Sequence, residues 1–266
     1  MTILKCPVCG GSLNAEPRRL VCSNRHSFDI AKEGYVNLLL SGKSGDLKGD
    51  NKEMARSRRD FLNRGYFEPL ANAVRECAAA YSAGGDAVLD ICCGEGYYTQ
   101  KLSEGLDRRL YGFDISKNMV RLAAKRRCGA TFFVANIASV PVRDESVRFA
   151  AHLFAPFHAG EFSRILETDG VIATVIPGRD HLMGLKNVLY SEPYPNDEKA
   201  PDAPELRLTD TVRVRDTITL PSREDIASLF QMTPYYYHTP SAGMKRMQQL
   251  DSLTTDIEFV ILLYRK

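Results

Sequence analysis

The residues best equipped for chemistry stand at the start of the chain. Cys6-Pro-Val-Cys9 and, after twelve residues, Cys22-Ser-Asn-Arg-His26 offer three thiolates and an imidazole in two close pairs, C-x2-C-x12-C-x3-H. Zinc takes four tetrahedral N/S ligands, and each short pair can supply two from one turn, with Gly10 and Gly11 easing the backbone. Small core cysteines would account for the thiols but not for the count of four ligands. Four protein ligands leave no open position, so the predicted zinc is structural. It supplies folding energy that a segment of this size cannot draw from its own core. The chain has seven cysteines, an odd number for a disulfide scaffold, and the remaining thiols are expected to be reduced.

A second constellation begins at Ala87. Ala87-Val-Leu-Asp90-Ile-Cys92-Cys93-Gly94-Glu95-Gly96 reads as an apolar strand running into a glycine-rich turn that opens a helix. Such a turn lets a nucleotide-like ligand approach the backbone at the carboxyl ends of the strands. Asp114 closes the next apolar strand, where a carboxylate can hold ribose hydroxyls. A dinucleotide site of the G-x-G-x-x-G kind would place a third glycine where Thr99 stands. Asp90 would also repel a pyrophosphate, whereas it suits a ligand with a cationic amino-acid part. S-adenosylmethionine is such a ligand; the alternative is a structural turn that binds nothing.

Behind these residues lie the elements that must position them. Residues 1–37 form a small cysteine-bearing zinc domain, and 38–80 a linker and helical connector. Within the connector, SGKSGDLKGDNK (41–52) is polar, and two helices are expected between Lys52 and Ala80, bent at Gly65 and Pro69. Residues 81–266 alternate short apolar runs (87–92, 110–113, 131–135, 147–153, 171–176) with helical patterns (97–106, 116–127, 160–167), which predicts an α/β domain on a parallel sheet. Residues 191–205 read as a solvated loop. Strands at 211–220 and 256–264 flank a helix opened by Ser222 and carrying Ile226, Leu229 and Phe230.

Net charge is only +2, so any nucleic-acid surface must be local. Arg18, Arg19, Arg25, Lys32, Lys43, Lys48, Arg56, Arg58, Arg59 and Arg64, interleaved with Phe28 and Tyr35, are the candidate RNA contacts. Asp46, Asp50, Glu53 and Asp60 dilute them, and a merely solvated charged face is the competing reading. No apolar run is long enough for a membrane span or a signal peptide, so a soluble cytoplasmic protein is expected.

The runs Cys6 to His26, Lys32-Glu-Gly-Tyr-Val-Asn-Leu-Leu39, Arg58-Arg-Asp-Phe-Leu62, Gly65-Tyr-Phe-Glu-Pro-Leu70 and Gly94-Glu-Gly-Tyr-Tyr-Thr99 closely resemble the bacterial 23S ribosomal RNA guanine-N1 methyltransferases. That family includes enzymes linked to macrolide (tylosin) resistance. The resemblance continues through Ala155-Pro156, Pro177-Gly178, His181-Leu-Met183 and Gln231-Met-Thr-Pro234. It implies a class I, Rossmann-like methyltransferase with a seven-stranded sheet, a zinc domain that helps grip an RNA hairpin, and a homodimer. By position it makes Cys6, Cys9, Cys22 and His26 the zinc ligands, and it lines the cofactor with Phe67, Gly94, Glu95, Asp114 and His181. To these the strand-and-turn reading adds Asp90 and Gly96. Two positions depart from the family pattern: Cys92 stands at a usual glycine and Phe67 at a usual tyrosine.

Methyl transfer to guanine N1 needs a base or a water chain for its proton, and no residue is assigned that role. His158, Glu161 and His181 are candidates whose structural reading is at least as good. Phe154 and Phe157 could stack an extruded base or pack the core, and Tyr235-Tyr236-Tyr237 carries the same ambiguity.

Overall fold

The computed structural model describes residues 2–40 and 52–266. The polar stretch read as a linker, with Lys43, Asp46, Lys48 and Asp50, lies outside the described residues, as does the side chain of Glu53.

The N-terminal unit is an antiparallel meander of β1 (Leu13–Glu16), β2 (Arg19–Cys22) and β3 (Ser27–Asp29), paired Leu13 to Cys22 and Arg19 to Asp29. Too small to enclose a core, it shares one. Ile3, Leu4, Cys6, Leu13, Leu20 and Cys22 are buried in the same cluster as Phe133, Val140, Val142 and Ile165. Backbone bonds stitch the contact: the Lys5 amide donates to the Pro141 carbonyl (2.9 Å) and the Arg143 amide to the Ile3 carbonyl (2.8 Å).

The run Lys32 to Leu39 makes a second weld. A tight turn, with Gly34 at φ +97°, delivers β4 (Val36–Asn37) in parallel register to Phe133 and Val134. Tyr35 is buried with Cys93, Val120, Ala123 and Phe132. The N-terminal unit therefore supplies the last strand of the main sheet.

The connector is two helices, α1 (Lys52–Asn63) and α2 (Glu68–Tyr81), broken where expected, at Gly65 (φ +82°) and Pro69 in the first turn of α2. The main domain continues as β5 (Ala87–Ile91), α3 (Tyr97–Ser103), β6 (Arg109–Asp114), α4 (Lys117–Ala124), β7 (Thr131–Val134), β8 (Val147–Leu153), α5 (Ala159–Ile165), β9 (Leu166–Pro177) and α6 (Met183–Leu189). It ends with β10 (Arg207–Leu220), α7 (Arg223–Gln231), α8 (Ser241–Gln248) and β11 (Leu253–Arg265). The strand order is β10-β11-β9-β8-β5-β6-β7-β4.

Seven of these strands are those expected, and β4 extends them to eight. The sheet is mixed rather than all parallel, because β11 inserts between β9 and β10 and runs antiparallel to both. Alternating apolar runs reveal strands but not their direction. The helix read at 160–167 stops at Ile165, since Leu166 is already extended in β9. Helices α6 and α8 were not read from the sequence.

Residues 191–205 hold no helix or strand, but they are strapped down rather than freely solvated. The fully buried Lys186 donates to the Tyr194 carbonyl (2.9 Å) and to Asn196 Oδ1 (2.6 Å), and Glu198 pairs with Arg213 at 2.7 Å. β10 is the outer strand at the other end of the sheet. There Asp210 and Asp216 accept the amides of Thr211 (2.7 Å) and Thr217 (2.8 Å), blunting the edge.

β5 and β6 deliver the glycine-rich turn to the middle of this sheet. Gly96 caps α3 at φ +86°, and an added Cβ would lie 2.8 Å from the backbone of Ala123 in α4. At Gly84 (φ +78°) nothing lies within 4 Å. Thermal denaturation of Gly96→Ala should therefore show backbone strain plus a further ~1–3 kcal/mol of overpacking, whereas Gly84→Ala should show the strain alone.

Candidate cofactor cavity and metal centre

The N-terminal turns gather the four predicted zinc ligands. The Cys6, Cys9 and Cys22 sulfurs and a His26 ring nitrogen all lie within 4.8 Å of one another. Cys9 Sγ is 3.7 Å from Cys22 Sγ, and His26 Nδ1 is 3.5 Å from Cys6 Sγ and 3.4 Å from Cys22 Sγ. A tetrahedron with Zn–S of about 2.3 Å and Zn–N of about 2.0 Å has S–S edges of about 3.8 Å and S–N edges of about 3.5 Å. The observed spacings fit a closed zinc centre. The Gly10 amide donates to the Cys6 carbonyl at 2.8 Å, forming the first turn. The Gly11 amide, bonded to the Cys9 sulfur, pulls that thiol down to about 6, toward the thiolate a metal requires.

At the carboxyl ends of β5, β6 and β8 lies a cavity of about 320 Å³. Its walls include Asp90, Gly94, Glu95 and Asp114 from the glycine-rich turn and β6, with Arg58 and Leu62 of α1 closing it from above. Asp90 is buried and accepts a hydrogen bond from Thr99 Oγ1 at 2.5 Å. Thr99 thus fills the third-glycine position with a hydroxyl that partly replaces water around the carboxylate. Burial nevertheless raises Asp90 to about 7, with Asp114 adding to the rise and Thr99 opposing it. Asp114 accepts the amides of Gly94 (3.1 Å) and Ser116 (2.8 Å).

Glu95, also buried, pairs with Arg126, whose Nε lies 2.9 Å from its carboxylate. Among the described residues lining the cavity, the acids are therefore Asp90, Asp114 and the neutralised Glu95, and the cation is Arg58. The Tyr98 hydroxyl is buried in the wall with no hydrogen-bond partner among the described residues. A zwitterionic amino-acid group could place its ammonium on Asp90 and its carboxylate on Arg58 and Tyr98, and a ribose could bind Asp114.

Phe67 and His181 are not brought to the cavity wall. Phe67 is buried edge-on to Phe61 and Phe259, and His181 packs 4.5 Å from Phe259. His181 Nδ1 accepts the Glu258 amide at 3.2 Å, and burial next to Lys186 pulls its pKa to about 3, so the ring is neutral. Both stand behind Phe259, which itself touches the cavity residue Phe154 at 5.7 Å. Gly96 acts through the tight packing of α3 on α4 rather than as a wall residue.

Several open readings close. Glu161 accepts the Val140 amide (2.6 Å) and holds Arg164 at 2.7 Å, which explains it structurally. Phe157 packs in the core against Phe162 and Tyr264. Phe154 does the opposite: it is 46% exposed, lines the cavity, and is held at φ +55°. Its neighbours explain the strain, because the preceding β8 must turn sharply into Ala155-Pro156 at the rim. From the residues alone Arg58 has only a phosphate role, Tyr98 none, and Thr99 marks only the missing third glycine, because the alignment of α1 with the turn is not encoded in spacing.

A twisted sheet of this order, with an acid-bearing glycine turn at its centre, defines an S-adenosylmethionine-dependent methyltransferase of the Rossmann-like type. A methyltransferase-domain family model matches residues 88–168, and a model described as "RlmA, N-terminal", a zinc ribbon, matches residues 4–41. The 23S rRNA (guanine(748)-N(1))-methyltransferase of Streptomyces fradiae is 36% identical over 190 residues, covering 70% of this chain and 67% of that one. YxjB of Bacillus subtilis (strain 168), provisionally named a 23S rRNA (guanine-N(1)-)-methyltransferase, is 30% identical over 98% of this chain and 96% of its own.

A solved structure from Anaeromyxobacter dehalogenans, provisionally described as a type II methyltransferase, superposes with a TM-score of 0.52 at 16% identity. It covers 73% of this chain and 94% of that one, and supports the fold alone. The chain belongs to the 23S rRNA (guanine-N(1)-)-methyltransferase family. Its cofactors are S-adenosylmethionine and a structural zinc ion.

Two outcomes are expected. Cys22→Ser should lower the zinc content below one ion per chain, measured by metal analysis, and lower the melting temperature, since Cys22 also packs in the core shared with the sheet. For Asp90, the folded pKa lies above the unfolded value, so its contribution to the ligand-free protein declines as pH rises from about 4 to about 7. A cationic ligand needs the carboxylate ionised, so S-adenosylhomocysteine affinity should rise with pH up to about 7 and then level off. In Asp90→Asn that slope should vanish and the ligand-free protein should melt higher at pH 8; an unchanged slope would move the titration to another group facing the cavity.

Proposed function

We propose that the chain transfers the methyl group of S-adenosylmethionine to N1 of a guanine in a hairpin of 23S ribosomal RNA, working in the cytoplasm as a homodimer. Bound in the cavity, the cofactor supplies an electrophilic methyl on a sulfonium centre. The protein's task is alignment and charge placement. Asp90 takes the ammonium, Arg58 with Tyr98 the carboxylate, and Asp114 the ribose, while Gly94 keeps the wall low enough for close approach. The zinc centre, held by Cys6, Cys9, Cys22 and His26, keeps a rigid ribbon on the sheet edge that presents exposed Arg18, Arg19, Arg25 and Lys32 to phosphates.

The observation that carries the reading is Phe154. An aromatic ring held in a left-handed conformation, half in solvent and half in the cavity wall, offers a face on which an extruded base can stack. A small-molecule methyltransferase would need neither this open rim nor the basic ribbon.

The test is methyl transfer from labelled S-adenosylmethionine to unmodified 23S RNA, with the site mapped by primer extension, because N1-methylguanine stops the polymerase. One stop at a hairpin guanine is the expected result; absence of label in both free RNA and 50S particles would overturn the reading. Phe154→Ala should cut kcat/KM for RNA by about 5- to 150-fold, the range that one lost base stack brings. Its affinity for S-adenosylhomocysteine should change by a smaller factor than this, because Phe154 stands at the rim of the cofactor cavity with 46% of its surface in solvent.

A further inference from the structure

Two tyrosine rings stand in solvent beside α1, the helix whose Arg58 and Leu62 line the cavity. Tyr236 and Tyr237 are 43% and 64% exposed and meet edge to face at 5.2 Å. Tyr235, from the same short turn, is half-buried under Tyr190 and the Lys186 ammonium, 5.6 Å from its ring. The triplet therefore divides: one ring anchors the turn and two face outward. Tyr236 is braced on Phe230 at 5.6 Å.

Their position follows from how α1 lies against α7. Ser57 donates to Gln231, Arg64 pairs with Asp225, and the Tyr237 hydroxyl reaches Met54 Sδ at 3.0 Å, so the two segments run side by side in opposite directions. Met54, Arg58 and Leu62 follow one another at four-residue spacing on α1, and Arg58 and Leu62 line the cavity. Tyr237 thus touches α1 one helical turn before Arg58. The same helix carries Arg59 and the 84%-exposed Arg56, which pairs only loosely with Asp60 at 3.6 Å. Exposed rings beside a helix that carries several guanidinium groups match an unpaired nucleotide, which brings a flat base and a phosphate together.

We propose that Tyr237, supported by Tyr236, is a stacking platform for the unpaired nucleotide next to the methylated guanine. Phe154 receives the target base, Tyr237 its neighbour, and the arginines of α1 the phosphate between them. The inference rests on the reading that the substrate is RNA. It adds a second contact point, beside α1, to the one that Phe154 offers at the rim.

The experiment places 2-aminopurine on either side of the target guanine in a hairpin RNA and follows its fluorescence on titration with the full-length, zinc-loaded protein. Wild-type protein should change the signal at one flanking position. Tyr237→Ala should abolish that change and weaken RNA binding by about 5- to 150-fold, with Tyr237→Phe close to wild type and S-adenosylhomocysteine affinity equal in all three. Tyr237 is mostly exposed, so folding is not at stake. Tyr237→Ala protein that keeps both the signal and wild-type RNA affinity overturns the platform while leaving the proposed activity standing. A variant that binds RNA normally but loses self-association in sedimentation assigns the rings to a second copy of the chain and equally overturns it. Wild-type protein that neither binds nor methylates the hairpin removes the RNA reading itself.

Discussion

A carboxylate withdrawn from water at the end of the central strand constrains most of what surrounds it. Asp90 is enclosed by the sheet below and α3 beside it, and within the protein Thr99 donates to it and Asp114 opposes it. A buried charge without a cation is costly. The structure does not answer that cost with an internal lysine or arginine. It leaves the carboxylate at a cavity wall, where a positively charged ligand can complete it, while the nearby Glu95 is silenced by Arg126. Specificity for a sulfonium amino acid over a pyrophosphate cofactor thus begins as a matter of unbalanced charge rather than shape.

The zinc ribbon answers a different problem. Its inward side chains are too few to hold it folded, so metal and sheet share the work. The ion ties the two turns, and β4 with the Leu4–Val142 contact fixes the ribbon against the sheet. Tyr35 packs in the same cluster as Cys93 of the glycine-rich turn. The zinc ribbon and the cofactor wall are therefore packed as one body, and α1 closes the cavity from the other side.

Much of this was legible in the residues themselves. Apolar runs located seven strands because period and length are local properties, and the four zinc ligands were readable because two turns alone bring them together. Asp90, Gly94, Glu95 and Asp114 were readable because one strand-turn-helix and one neighbouring strand hold them. What spacing does not reveal is whatever depends on distant segments. Phe67 and His181 fall behind Phe259, a residue about 80 to 190 positions away whose approach depends on β11 threading the sheet. Phe154 and Phe157, three residues apart, have opposite fates that only the sharp turn after β8 decides. The loop at 191–205 looks solvated because its composition is polar, yet the buried Lys186 and the Glu198–Arg213 pair tether it.

The position of β11 bears on how the chain reaches this state. β11 follows β10 in sequence but separates it from β9, so during folding β10 has no hydrogen-bonded neighbour in the sheet until β11 arrives. Contacts of such long sequence separation form slowly, and unpaired strands invite association in the interval. The carboxylates of Asp210 and Asp216 stand on the outer edge of β10, where they hold the amides of Thr211 and Thr217. A carboxylate on an exposed strand edge disfavours pairing with a second chain at any stage at which that edge is open to solvent.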